Sequence, residues 1–173
     1  MTFLRTNANR MGKTDERELE SVKRYLENKE EEEEEASTVN NKLPRGFLEH
    51  LILRGLRLHL IQPGRVLFSM NIPPRLLNSA NYFHIGAIIT LVDVAGAAAI
   101  PAAGFPWLSG VSLEINVSCF HAAYAHEEIE IDARVLRVGK TIAAVSVEFR
   151  KKKTGQIFAQ GRHTKYLPRT SKL

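Results

Sequence analysis

Asp93 is the residue around which chemistry can be built. It closes the stretch Asn78-Ser-Ala-Asn-Tyr-Phe-His84-Ile85-Gly86-Ala-Ile-Ile-Thr-Leu-Val-Asp93 and is the lone carboxylate of an otherwise apolar, helix-forming segment. An ionised carboxylate in apolar surroundings costs free energy unless it has a partner or a task, and nothing nearby in sequence neutralises this one. Asp93 therefore reads as a catalytic base. Cys119, the single cysteine, forms no intrachain disulfide, lacks any sign of an activating base and reads as a buried structural thiol. His50, His59, His121 and His126 show no metal-ligand spacing, and no Gly-Xaa-Ser-Xaa-Gly elbow marks a serine hydrolase.

The elements that must hold Asp93 follow from periodicity. Residues 86–100 predict a helix ended by Pro101 and Gly104, apolar on every face and so surrounded by protein; its Ala95-Gly-Ala-Ala-Ala99 run admits close backbone approach. Before it, residues 56–61 and 66–72 read as a hairpin turned at Pro63-Gly64, after a short helical signal at 47–53. After it come four strand-like runs, about 109–120, 127–138, 141–151 and 156–166, with Gly139-Lys140 and Thr154-Gly155 as turns. Along 128–135, Ile129, Ile131, Ala133 and Val135 alternate with Glu128, Glu130, Asp132 and Arg134, so one face is buried and the other wet. The sum is an α+β fold, an antiparallel sheet wrapped around a central helix with no parallel βαβ repetition.

Charge divides the chain. Residues 1–35 carry 7 basic and 11 acidic side chains, residues 36–173 carry 17 and 8. The predicted organisation is an arm with an amphipathic helix at 17–27 and an acidic linker (1–41), a single α+β domain (42–168) and a tail (169–173). The tail ends in Ser171-Lys172-Leu173, which at a free carboxyl end is the address read by the peroxisomal import receptor and predicts peroxisomal localisation. No secretory h-region is visible in residues 1–14. The apolar run 85–105 carries Asp93, Pro101 and Gly104 and is expected to be a buried helix rather than a membrane span. The basic residues have no aromatic platform or reading helix for nucleic acid.

Four ordered segments, residues 78–93, Gly110-Val-Ser112-Leu-Glu-Ile-Asn116, Arg137-Val-Gly-Lys-Thr141 and Ala159-Gln-Gly-Arg-His-Thr-Lys165, resemble the hotdog-fold acyl-coenzyme A thioesterases of the phenylacetate-degradation branch, over about residues 47–167. The resemblance implies hydrolysis of acyl-CoA to a free acid and CoA without metal or prosthetic group. It implies that Asp93 acts as base or nucleophile, that Asn78 and Ser112 position the water, and that His84 with the N–H of Ile85 polarises the thioester carbonyl. It further implies that Gly139, Lys140, Thr141, Arg162, His163 and Lys165 lie where the CoA nucleotide is met. The family usually has His-Gly-Gly where this chain has His84-Ile85-Gly86, so a branched side chain stands where the backbone is otherwise bare.

Helix geometry adds a constraint of its own. Unpaired N–H groups at the helix start, at residues 85 and 86, suit a developing oxyanion. At about 1.5 Å rise per residue, Asp93 lies roughly 12 Å from that start, beyond reach of a carbonyl held there. Two antiparallel copies of the helix would solve this, which predicts a site shared across a two-fold homodimer; the resemblance implies the same sharing, commonly in a homotetramer. The competing expectation is an acyl-CoA-binding module in which Ile85 spoils turnover. A hotdog hydratase ranks behind both, because its paired carboxylate and His context is not found. Phe83, Phe105, Trp107 and Phe120 are candidates to line an acyl channel, and the acyl group itself is left open.

Overall fold

The computed structural model describes residues 46–105 and 110–168, together with Glu20 and Lys23. The arm helix, the acidic run, Trp107 and the Ser171-Lys172-Leu173 tail lie outside the described residues. Helix α1 (Phe47–Leu53) leads into strands β1 (Arg57–Gln62) and β2 (Arg65–Asn71), then a 3-10 turn, Pro74–Leu76. Helix α2 (Ile85–Ala102) follows, and then β3 (Val111–Cys119), β4 (Glu128–Val138), β5 (Ile142–Lys151) and β6 (Ile157–Tyr166). The six strands form one antiparallel sheet in the order β1-β2-β4-β5-β6-β3, curled around α2 in the hotdog arrangement.

Each strand begins and ends within two residues of its expected position, because turn residues set the ends. Gly64 takes φ 71° in the first hairpin and Gly155 φ 71° in the last. Helix α2 runs through Pro101 instead of stopping before it. Pro101 sits in the final turn, which closes by N–H bonds from Ala103 to Ile100 and from Gly104 to Pro101. By length and composition α2 could cross a membrane, yet the sheet already covers most of it. The inner faces of β2, β4 and β5 bury Val66, Phe68, Ile131, Val145, Val147 and Phe149 against it, each worth about 1.5–3 kcal/mol on removal from water.

Two findings depart from the alternation pattern. Asp132, on the wet face of β4, is only 3% exposed, clasped by the guanidinium of Arg65 at 2.9 Å and that of Arg134 at 2.8 Å. Burial pushes its carboxyl up, but the hydrogen bonds and charges of the two arginines outweigh that and hold it below the ordinary value. Helix α2, expected to be enclosed all round, leaves a stripe at Ile85, Ile89 and Asp93 open to solvent in the single chain.

The start of β3 fixes where Ser112 points, and it hangs on Gly110. Its φ is 96°, and a Cβ there would stand 2.1 Å from the Tyr166 carbonyl oxygen, a backbone atom of β6 that cannot swing aside. Gly110→Ala is expected to destabilise the fold by about 2–4 kcal/mol, through strain and overpacking together. Denaturant unfolding checks this; a loss below about 0.5 kcal/mol, the scale of a neutral surface substitution, would show that the β3–β6 junction yields freely.

Candidate active site

Asp93 meets its partners only through the sheet. The Ser112 hydroxyl, from β3, donates to Asp93 Oδ1 at 2.9 Å. His163 Nε2, from β6, stands 2.9 Å from Ser112 Oγ and 3.3 Å from Asp93 Oδ1. A carboxylate can only accept, so the order of donors is fixed: His163 Nε2–H to Ser112 Oγ, and Ser112 O–H to Asp93. His163 Nδ1 then carries a bare lone pair, and it has no hydrogen-bond partner among the described residues. It lies against α2, where a Cβ on Gly96 would come within 2.7 Å of it. The small-residue run thus has a specific use: Gly96 makes room for the His163 ring. The Asp93 side chain remains 46% exposed, with Oδ2 unengaged among the described residues.

Burial pushes the His163 imidazole below its ordinary 6.5, with Asp93 opposing the shift and Lys165 adding to it. Burial likewise lowers the Lys165 ammonium, again opposed by Asp93. For stability the sign is definite. The folded chain refuses a proton that the unfolded chain accepts at His163, so the contribution is fully present above pH 6.5 and is lost as pH falls through the lower folded value. His163→Gln is expected to flatten the decline of the urea midpoint between about pH 7 and pH 5. Equal slopes in both proteins would remove His163 from the acid response.

The other end of α2 is built differently. His84 is the N-cap, and its Nδ1 accepts the Gly86 N–H at 2.9 Å. The Ala87 and Ile88 N–H groups bond to the His84 carbonyl at 3.0 and 3.2 Å. This corrects one expectation: Gly86 does not offer a free donor, because the cap consumes it. The Ile85 N–H is left without a partner among the described residues, and the cap puts the remaining His84 proton on Nε2 as a second donor. A cleft of about 370 Å³ opens here, lined among others by Asn78, Tyr82, His84, Ile85, Phe120 and Cys119, which is exposed rather than buried as expected. Phe83 lines it too, whereas Phe105 packs on the core.

Asn78 is more committed than its expected role requires. Its Oδ1 accepts the N–H groups of Ala80 and Tyr82, both at 3.0 Å, which builds the turn before α2 and leaves only the amide NH₂ to face the cleft. The six residues expected at the CoA nucleotide do not form one cluster. Gly139, Lys140 and Thr141 make the β4–β5 turn, joined to the end of β6 by the Leu167 N–H to the Thr141 carbonyl. Lys165 shares the inner face of β6 with His163, opposite Ser112 in register, while Arg162 points to the outer face. His163, 0% exposed, is placed on Ser112 and Asp93 instead of on a solvent-facing phosphate surface. The signal that could have located it is strand parity: Ala159, Gly161 and His163 alternate with Gln160 and Arg162.

A carboxylate oriented by a hydroxyl, on a helix whose first turn offers a donor and around which an antiparallel sheet is wrapped, defines a hotdog enzyme of the thioesterase class. The chain belongs to the thioesterase superfamily, whose profile matches residues 80–158. Acyl-coenzyme A thioesterase 13 of Homo sapiens is 39% identical over 107 residues, covering 61% of this chain and 74% of that protein. The Mus musculus protein of the same name is 36% identical over 118 residues, covering 67% and 82%. The crystal structure of zebrafish thioesterase superfamily member 2 superposes with a TM-score of 0.69 at 30% identity, covering 87% of this chain and 98% of that one.

Proposed function

We propose that the protein is an acyl-CoA thioesterase that hydrolyses its substrate to a free acid and CoA at a site shared by two protomers. The observation that carries this is Asp93, with Oδ1 tied to Ser112 and Oδ2 open on an exposed stripe of α2. A carboxylate with one oxygen engaged is a poorer nucleophile but a well-aimed base, so Asp93 takes a proton from water while the hydroxide adds to the thioester carbonyl. The developing oxyanion accepts from the Ile85 N–H and the His84 Nε2–H of the partner chain. Collapse expels the CoA thiolate, which receives the proton held by Asp93.

Two features support sharing. Asp93 and Ile85 are separated by roughly 12 Å along α2. Among the described residues the sheet also ends at β3, which pairs with β6, has no strand along its other edge and leaves Val111 and Leu113 exposed. Pairing of β3 with its copy about a two-fold axis would lay the two α2 stripes side by side. A dimer of dimers and, where Leu173 is a free carboxyl end, peroxisomal import belong to the same proposal and rest on sequence alone.

Thiol release from short, medium, long-chain and aromatic acyl-CoA, measured beside binding, tests the activity. The exposed Ile85 side chain at the donor favours one alternative, a module that binds acyl-CoA without turning it over. Binding without release across the panel would establish that alternative and end the hydrolase assignment.

A further inference from the structure

We propose that Ile85 makes the enzyme selective for acyl groups unbranched at the carbon next to the carbonyl, an inference that rests on the hydrolase assignment above. Three observations converge. First, the bonding of the first turn leaves a single backbone donor without a partner among the described residues. Gly86 is held by His84 Nδ1, and Ala87 and Ile88 by the His84 carbonyl, so a substrate carbonyl that uses the helix start must dock at the Ile85 N–H itself. Second, in a helix every Cα–Cβ bond tilts toward the amino end, the direction in which the first N–H groups also point. The side chain of Ile85 therefore flanks its own donor, and being β-branched it is held to essentially one χ1 rotamer and cannot swing clear. Third, Ile85 is 44% exposed and lines the cleft together with Tyr82 and Phe120, so its bulk occupies substrate space and not the core.

A carbonyl oxygen about 2.9 Å from the Ile85 nitrogen brings the adjoining acyl carbon into van der Waals range of the Ile85 branch. A CH₂ there passes. A methyl on that carbon has to displace either the rigid side chain or the carbonyl from its donor, and in a tight site one such group separates rates by about 10–200-fold.

The test compares kcat/KM for decanoyl-CoA with that for each epimer of 2-methyldecanoyl-CoA, in wild type and in Ile85→Val, Ile85→Ala and Ile85→Gly, all checked for unchanged melting. The wild type is expected to disfavour at least one epimer by about 100-fold, Val to preserve that ratio, and Ala and Gly to lower it by about tenfold or more through faster turnover of the branched ester. A wild-type ratio near one, or one unchanged in both Ala and Gly, would overturn the proposal. Absence of thiol release from all three esters in every variant, and from the short, medium, long-chain and aromatic panel, would instead remove the hydrolase assignment. Calorimetric binding of the same esters then still reads Ile85: equal straight-to-branched affinity ratios in wild type and Gly would overturn the steric role by itself.

Discussion

Asp93→Asn is expected to lower kcat by about 10²–10⁴ while melting temperature and oligomeric state stay as in the wild type. The separation of effects follows from the site's construction. Asn has nearly the shape of Asp, and its amide oxygen can still accept the Ser112 hydroxyl, so the link from α2 to β3 survives. The side chain is 46% exposed, and the substitution opens no cavity in the core. What disappears is the anion that takes the proton from water. Thiol release under saturating acyl-CoA, together with circular dichroism and sedimentation, checks both halves. A kcat within about threefold of wild type would exclude Asp93 as the base, whatever the fold does.

The second large effect concerns which chain supplies which group. Ile85→Pro deletes the free N–H donor at a position where proline is welcome. Residue 85 is the first of α2, and His84 already has the extended backbone, φ −66° and ψ 130°, that a following proline prefers. The variant is expected to lose about 10²–10³ in kcat with the fold retained, the usual loss for one oxyanion donor. The decisive experiment mixes it with Asp93→Asn. In a two-fold dimer of the two variants, one site combines both defects, while the other receives intact Asp93 from one chain and intact Ile85 from the other. Random exchange of subunits at equal amounts makes half of the dimers mixed with half of their sites intact, so activity should recover to about a quarter of wild type. Mixed dimers isolated through two different tags but no more active than their parents would show that each site lies within one chain.

Local pattern carried much of this molecule. The six strands, the central helix and their turns were legible because alternation, helical periodicity and Gly or Pro punctuation are properties of neighbouring residues, and the structure keeps them nearly in place. Asp93 stood out for the same reason, as a charge in an apolar run. Pattern misled where a side chain's partner is remote. Asp132 alternates like a solvated residue, yet Arg65, brought alongside by β2, closes over it with Arg134. Gly86 looked like a donor until the His84 ring folded back onto its N–H.

The sequence by itself determined that a carboxylate would sit on a helix too far from that helix's own start to finish a reaction, because helical rise is a fixed length per residue. Only the tertiary structure decided what addresses the carboxylate. Ser112 and His163 reach Asp93 because β3 and β6 lie side by side at one edge of the sheet, and Gly96 lets the imidazole press against α2. Strand order and the close approach of ring to helix arise from packing between distant segments, and no spacing along the chain encodes them.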